Sequence, residues 1–398
     1  MTTSEQYKEM ESKYYMFLVR RQPMVLEKGE GARVWDVDGK EYLDFTSGWA
    51  VNNAGHANPV IAEAIAEQAK TLLQTSNQFY SIPQLKLAEI LVENSCLDKI
   101  FLCNSGAEAN EGAIKLAKKY GKKHKDGAYH IITALNSFHG RTMMNVAATG
   151  QPHYQELFEP IPTGFSHVPY NDLQAIKDAT TDNTVAVMIE PVQGEGGVNI
   201  PSTNYLRGIR EWCDQNNLLL IFDEVQTGLG RLGTLFGYQN SGVEPDIMTL
   251  AKGLGGGVPI GAFLAKDSAC AFDPGDHGST FGGNPLTCAA AHASTKYIID
   301  NNLSENAAKL GEYLGNGLKQ MQSDNEFITD VRGIGMLWAV EFDSDITPDV
   351  ISACNDAGLL MNPMRPNTVR LMPVLNITKE EIDEALERLK TGIANATS

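Results

Sequence analysis

The sequence predicts an α/β fold with a mostly parallel central sheet, helices on both faces of that sheet, and a smaller α+β domain. Between residues 99 and 264, short apolar runs alternate with segments of helical periodicity, for example 100–103 followed by 107–120. Strands that alternate with helices in this way usually pair in parallel. A chain of 398 residues also exceeds what one compact core usually holds, so more than one domain is expected.

The two ends of the chain predict the smaller domain. Residues 1–30 suggest a helix and an extended arm, and residues 32–45 alternate around Gly39 as a β-hairpin does. Helices are predicted over 56–69 and 83–92. The remaining predicted elements are long helices over 286–322, a strand over 331–342, a helix over 348–357, a strand over 368–373 and a helix over 378–393.

These elements predict a division of the chain into three parts. Residues 1–55 would form an N-terminal arm and part of the small domain. Residues 56–300 would form the large ligand-binding domain, and residues 301–398 the C-terminal small domain.

Composition argues against several classes of partner. The chain has 32 Lys and Arg residues against 49 Asp and Glu, a formal charge of -17, so neither nucleic acid nor an anionic membrane is expected. The six cysteines are scattered, which predicts reduced thiols in a cytoplasmic protein and no metal site. The polar start does not resemble a signal peptide, and no apolar run approaches the ~18 residues of a membrane helix.

Two charged residues that follow apolar strands form the centre of the functional prediction. The run Leu218–Phe222 stops at Asp223, and the run after Asp246 ends at Lys252 among glycines. Open α/β sheets bind ligands beyond the carboxyl ends of their strands. Pyridoxal phosphate needs a lysine for a Schiff base and an acid that keeps its pyridine nitrogen protonated. A structural ion pair between Asp223 and Lys252 explains these two residues equally well.

Small residues at a strand-to-helix junction predict a phosphate site. Ser105, Gly106 and Ala107 would lie at a helix N-terminus, where free N–H groups and the helix dipole favour an anion. An ordinary serine-capped helix start is the alternative. The loop 278–285, with Thr280 as a hydroxyl donor, is a second candidate phosphate loop or simply a flexible turn.

Two further loops carry groups that suit a planar, anionic ligand. Phe138 could stack on a ring, and Arg141 has the planar fork that binds a carboxylate, although a core aromatic and a surface arginine explain them too. His139 is interpreted as a hydrogen-bonded turn residue. Glu190 and Glu195 follow a third strand in a glycine-rich loop. These two acids could be the carboxylate pair of a glycosidase, but no further carbohydrate-like feature of the sequence supports that alternative.

In their order and spacing, these motifs resemble the class-III pyridoxal-phosphate aminotransferases of fold type I, within them the acetylornithine and ornithine aminotransferase group. The resemblance extends from the hairpin Trp35–Lys40 to the strand Val369–Pro373. It implies pyridoxal 5'-phosphate as the cofactor and a homodimer whose subunits share their active sites.

The resemblance also implies how the cofactor is held. Lys252 would be its covalent attachment point, Asp223 would pair with the ring nitrogen, and Gln226 would approach the ring hydroxyl. Val225 and Phe138 would enclose the ring. The phosphate would be bound by Ser105, Gly106, Ala107 and, from the neighbouring subunit, Thr280.

Substrate recognition follows from the same resemblance. Arg141 would bind one substrate carboxylate and Arg370 a second one, with Glu195 masking Arg370 while the amino donor is bound. Ser279 would also contact the substrate. Glu190 would orient the loop. The implied reaction moves the terminal amino group of N2-acetylornithine to 2-oxoglutarate in two half-reactions.

Several alternatives remain open from the sequence alone. Trp49 stands where a smaller aliphatic residue is expected, so ornithine, succinylornithine or 4-aminobutyrate is possible as the donor. An aminomutase of the same family agrees less well with Arg370 and Glu195, which suit two different substrates. A non-catalytic cofactor-binding protein is an alternative of another class. A nicotinamide dehydrogenase is not supported, because the glycine clusters lack the G-x-G-x-x-G spacing.

Overall fold

The structure is a computed structural model that describes residues 3–397. Its helices are α1 (Ser4–Tyr14), α2 (Ser47–Ala50), α3 (Pro59–Thr71), α4 (Ile82–Glu93), α5 (Gly106–His124), α6 (Met143–Ala148), α7 (Pro152–Glu156), α8 (Leu173–Ala179), α9 (Tyr205–Gln215), α10 (Pro285–Asp300), α11 (Leu303–Ser323), α12 (Thr347–Asp356) and α13 (Lys379–Ala396). The start of the predicted N-terminal segment, residues 1 and 2, lies outside the described residues.

The strands form three sheets. They are β1 (Leu26–Glu30), β2 (Arg33–Asp36), β3 (Glu41–Asp44), β4 (Lys99–Cys103), β5 (His130–Ala134), β6 (Phe165–Val168), β7 (Thr184–Ile189), β8 (Leu219–Asp223), β9 (Ile247–Leu250), β10 (Gly261–Ala265), β11 (Ile328–Ile334), β12 (Leu337–Phe342), β13 (Leu359–Leu360), β14 (Asn362–Arg365) and β15 (Thr368–Leu371).

The central sheet has seven strands in the order β4-β10-β9-β8-β7-β5-β6. Strand β10 is antiparallel to both of its neighbours, and the other pairs are parallel. Every residue of β7 and β8 is buried, which explains their continuous apolar sequences. The mostly parallel α/β fold predicted from the sequence is confirmed.

Two four-stranded sheets lie beside the central one. The predicted hairpin is present as β2 and β3, and the C-terminal strand β13 joins its sheet by pairing in parallel with β3. The other small sheet has the order β11-β12-β15-β14. One part of the prediction is wrong: residues 331–342 are not one strand. Gly335, with φ +56°, makes a turn that divides the segment into antiparallel β11 and β12.

The packing of α5 fixes its position on the central sheet. A Cβ atom on Gly112 would lie 2.3 Å from the ring of Phe263 in β10, so only a glycine lets the helix come this close. The beginning of α5 is therefore held near the ends of β8 and β9. All six cysteines are free thiols. Within residues 3–397, no helix is long and apolar enough to cross a membrane.

Candidate active site

The predicted site residues meet in a cavity of about 460 Å³ beyond the carboxyl ends of the parallel strands. This volume is in the range of small-molecule sites, about 300–1,000 Å³. The predicted residues that line the cavity are Ser105, Gly106, Ala107, Phe138, Arg141, Glu190, Glu195, Asp223, Val225, Gln226 and Lys252. Arg370 reaches the same place through Glu195 and Gln226, whose side chains accept hydrogen bonds from its guanidinium.

Asp223 is the buried acid of the site. One carboxylate oxygen accepts a hydrogen bond from the side chain of Asn110 at 2.8 Å and lies 2.8 Å from Nδ1 of His139. The other accepts one from the backbone N–H of Val225 at 3.0 Å. The carboxylate is thus paired with His139 rather than with Lys252, so the structural ion pair that the sequence left open is not what holds it.

His139 and Asn110 are two site residues that the sequence prediction missed. Both are buried, and both contact Asp223, which is 84 and 113 residues further along the chain. Interpreting His139 as only a turn residue was therefore incomplete. No local pattern could have revealed these contacts, although a histidine between a candidate aromatic and a candidate arginine was a signal that it lies at the site.

Lys252 is the amine of the site. It begins a short 3-10 turn with φ +42°, an uncommon value for a residue with a side chain. Burial, and then the charge of Arg370, lower the pKa of Lys252 to about 8, although Glu195 and Asp223 act in the opposite direction. One pH unit below that pKa, about one amine in ten is neutral and able to act as a nucleophile or base.

The beginning of α5 provides the predicted anion site. Ser105 is the N-cap, and its hydroxyl accepts a hydrogen bond from the backbone N–H of Glu108 at 3.2 Å. Gly106 and Ala107 are in the first turn, where backbone N–H groups have no acceptor within the helix. A Cβ atom on Gly106 would lie 2.8 Å from Val225, so the glycine lets the helix start approach that side chain.

The loop with Ser279 and Thr280 does not line this chain's cavity. The Ser279 hydroxyl accepts a hydrogen bond from the side chain of Asn104 at 3.2 Å, and Asn104 is a cavity residue. Thr280 is exposed, and its carbonyl accepts a hydrogen bond from Gln74. Thr280 is thus the predicted cofactor residue that the structure leaves outside its own chain's site.

Arg370 and Glu195 form an ion pair close to Lys252. Arg370 is 2% exposed, and its Nη1 donates to Glu195 at 2.8 Å, to the carbonyl of Gly194 at 3.0 Å and to Gln226 at 3.3 Å. Burial alone would raise the pKa of Glu195, but Arg370 and Lys252 hold it below its ordinary value. Glu195 is therefore stabilised as a carboxylate by the two cations beside it.

Arg141 differs from Arg370 because it is exposed. Its guanidinium lies 4.1 Å from the ring centre of Tyr154 and 5.3 Å from that of Phe138. Stacking orients the guanidinium and leaves its N–H groups in its plane available for a ligand. Tyr154 was not predicted from the sequence.

Glu190 lines the cavity together with Phe138. Its carboxylate accepts a hydrogen bond from the backbone N–H of Phe138 at 3.2 Å. Burial, and then the charge of Asp223, raise the pKa of Glu190 well above its ordinary value. Its hydrogen bond to the Phe138 backbone ties Glu190 to the loop that carries that ring.

The chemistry of these groups fits pyridoxal phosphate. The start of α5 suits the phosphate, Asp223 suits a protonated ring nitrogen, and Lys252 suits covalent attachment to the aldehyde. Val225 and Phe138 line the cavity as apolar surfaces for the ring.

Comparison with known proteins gives consistent matches over nearly the whole chain. A family model described as class-III aminotransferase matches residues 16–393. The acetylornithine aminotransferase of Methanothermobacter thermautotrophicus is 50% identical over 387 residues, which are 97% of this chain and 98% of the relative. That of Caldanaerobacter subterraneus subsp. tengcongensis is 49% identical over 380 residues, 95% of this chain and 97% of the relative.

Solved structures agree with this result. The ornithine aminotransferase of Toxoplasma gondii ME49 has a TM-score of 0.96 and 36% identity, and the match covers 99% of this chain and 96% of the other. The acetylornithine aminotransferase of Elizabethkingia anophelis has a TM-score of 0.90 and 36% identity, and the match covers 99% of this chain and all of the other.

Proposed function

Because the chain belongs to the class-III aminotransferases, which use pyridoxal phosphate, we propose that it moves the terminal amino group of N2-acetylornithine to 2-oxoglutarate. The products are N-acetylglutamate 5-semialdehyde and glutamate, formed in two half-reactions as a step of arginine biosynthesis. Membership of this family confirms the predicted class of enzyme and its cofactor. The curated relatives named above support the choice of donor.

The observation that carries the proposal is the pair formed by Arg370 and Glu195. The donor reacts at an amine that has no neighbouring carboxylate, whereas 2-oxoglutarate has a carboxylate beside its reacting carbon. One site must therefore hide a positive charge in one half-reaction and offer it in the other. When Glu195 pairs with Arg370 at 2.8 Å, the positive charge of Arg370 is neutralised. When Glu195 leaves, that charge is available to the carboxylate of 2-oxoglutarate.

The geometry of the cavity supports the remaining roles that we propose. Bound pyridoxal phosphate supplies the electron sink that stabilises negative charge at the reacting carbon. Lys252 Nζ moves the proton at that carbon, and its lowered pKa keeps part of the amine neutral for this task. Asp223 holds a proton on the ring nitrogen, and Arg141 binds the α-carboxylate of the donor at the open side of the cavity.

Ornithine is the second candidate donor, because ornithine aminotransferases are among the most similar solved structures. Trp49 bears on this choice: it is 57% exposed, has φ +64° and precedes by two residues Val51, which lines the cavity. A large side chain held there by an uncommon backbone conformation would restrict which donors enter.

A test compares donors in the absence of any acceptor. The absorbance of the bound cofactor is followed in a stopped-flow instrument after addition of N-acetylornithine, ornithine or 4-aminobutyrate. We expect the fastest and largest change with N-acetylornithine. A faster change with ornithine would keep the mechanism and replace the donor, whereas no change with any donor would contradict an aminotransferase of ω-amines. Lys252→Ala serves as the control that should not react.

The assembly is proposed to be a homodimer in the cytoplasm, with the three-part domain division described above. Exposed apolar side chains support a partner surface: Tyr80 is 94% exposed and Phe281, next to Thr280, is 63% exposed. In a dimer Thr280 would complete the partner's phosphate site.

Light scattering should give twice the chain mass, and Thr280→Val should weaken cofactor binding. A monomer with full cofactor affinity would exclude this assembly.

A further inference from the structure

The loop that carries Glu195 is closed at its base. Gln193 and Asn199 exchange two backbone hydrogen bonds, at 3.1 and 3.0 Å, and the Gln193 side chain donates to the carbonyl of Leu135 at 2.9 Å. Residues 193–199, called here the Glu195 loop, therefore form a tight turn anchored to the central sheet.

The glycines of the Glu195 loop fit tightly against the protein. A Cβ atom on Gly194 would lie 1.7 Å from Oε1 of Gln226, and one on Gly196 would lie 2.0 Å from the carbonyl of Asn136. Such separations leave no room for side chains at these two positions, so the loop backbone packs directly against Gln226 and Asn136. The Glu195 side chain, by contrast, is 39% exposed.

Three arginines of the small C-terminal sheet bind the other face of this loop. Arg370 donates to the carbonyl of Gly194 at 3.0 Å, Arg365 donates to the carbonyl of Gly196, and Nε of Arg332 donates to the carbonyl of Gly197 at 2.8 Å. The carbonyls on both sides of Glu195 are thus held by charged donors from β11, β14 and β15. Hydrogen bonds from charged donors are stronger than neutral ones.

We propose that Arg332 and Arg365 are positioning residues that hold the Glu195 loop so that the switch works by rotation of one side chain. The inference rests on the proposed function, because it assigns these arginines a task in alternating between two substrates. Neither arginine is among the residues that line the cavity. Their effect on substrates passes through Glu195.

The fixed loop favours the state in which Glu195 covers Arg370. A carboxylate on a rigid backbone loses little freedom when it binds, whereas one on a mobile loop must also order that loop. Removing the anchors should therefore weaken the covered state, which the ω-amino donor requires. The reaction with glutamate, which needs Arg370 uncovered, should lose little or none of its rate.

The experiment uses Arg332→Gln, Arg365→Gln and the double variant as holoenzymes. For each, single-turnover rate constants divided by the apparent dissociation constant are measured for glutamate and for the ω-amino donor that the unmodified enzyme uses best. Arg388→Gln is the matched control. Like Arg332, which pairs with Glu341, Arg388 donates to a glycine carbonyl, that of Gly358 at 2.6 Å, and pairs with a glutamate. It lies on α13, away from the Glu195 loop.

We expect the donor-to-glutamate ratio to fall about threefold in each single variant and about tenfold in the double variant, since charged hydrogen bonds to the loop are lost. Arg388→Gln should leave the ratio unchanged, even where it lowers the melting temperature. Arg365→Lys, which retains a charged donor, should restore part of the ratio.

The proposal is overturned if the double variant loses activity equally with both substrates, or if Arg388→Gln shifts the ratio as much. An unchanged ratio in the double variant also overturns it. The unmodified enzyme distinguishes failure of this proposal from failure of the proposed function. If the unmodified enzyme reacts with neither glutamate nor any ω-amine, it is the proposed function that fails, and the ratio is undefined.

Discussion

The two sides of the cavity are built differently. On the cofactor side, Asp223 is 3% exposed and is held by Asn110, His139 and the Val225 backbone, all on or beside the central sheet. On the substrate side, Glu195 is 39% exposed in its side chain and lies on a loop.

The difference corresponds to what each side must do. The cofactor side needs the same charges in both half-reactions, so a buried and fully paired acid suits it. Under the proposed function, the substrate side recognises two molecules of different charge, which requires that Glu195 can leave Arg370. If the two sides are separate, substitutions on one side should leave the work of the other side intact.

The largest effect is expected from Lys252→Ala. Without the amine that attaches the cofactor and moves the proton, turnover should fall by at least about 10⁴-fold. The anion site and Asp223 remain, so the cofactor should still bind without a covalent bond. Product formation and equilibrium dialysis measure the two quantities, with Lys266→Ala as a surface control. Substantial steady-state activity in Lys252→Ala would refute the assignment.

A smaller effect, mainly on the half-reaction with 2-oxoglutarate, is expected from Arg370→Lys. Lysine keeps the charge but loses the planar fork that binds a carboxylate in two places. The rate constant for 2-oxoglutarate divided by its KM should fall by about 10²-fold, since one member of a buried charge pair is altered. The donor half-reaction should fall much less. Equal losses in both half-reactions would mean that Arg370 supports the fold rather than the acceptor.

On the cofactor side, His139→Phe tests the support of Asp223. The substitution keeps a buried ring of similar size and removes the contact at 2.8 Å. Cofactor affinity should fall by about tenfold, as one charged hydrogen bond is lost. The two half-reactions should keep their ratio. His167→Phe, whose histidine contacts Thr133 and Gln155 instead, is the control, and an equal loss of affinity there would contradict the prediction.

The smallest effect is a dependence on pH. Because the pKa of Lys252 is lowered to about 8, its neutral fraction grows as the pH rises through that value. The rate at which cofactor-free protein attaches pyridoxal phosphate should increase about fourfold between about pH 7.5 and pH 9 and then level off. Absorbance measures this rate. A midpoint near 10.5, the ordinary value for lysine, would show that burial does not lower this pKa.

The fold class and the chemistry of the site could be predicted from the sequence. Continuous apolar runs such as β7 and β8 identify buried parallel strands, because such strands have no polar face. Asp223 and Lys252 could be placed at one edge because each follows such a run. Apolar periodicity could not separate β11 from β12, since a hairpin and one long strand share the same alternation, and only the turn at Gly335 divides them.

Which charged groups contact each other became clear only from the three-dimensional arrangement of the sheets. Arg370 and Glu195 are 175 residues apart, and His139 and Asp223 are 84 apart. The resemblance to a family implied the first pair, but nothing in the sequence indicated the second, or the hydrogen bonds from Arg332 and Arg365 to the Glu195 loop. Local patterns reflect burial and backbone preference, whereas contacts between distant residues depend on how the sheets are placed against each other.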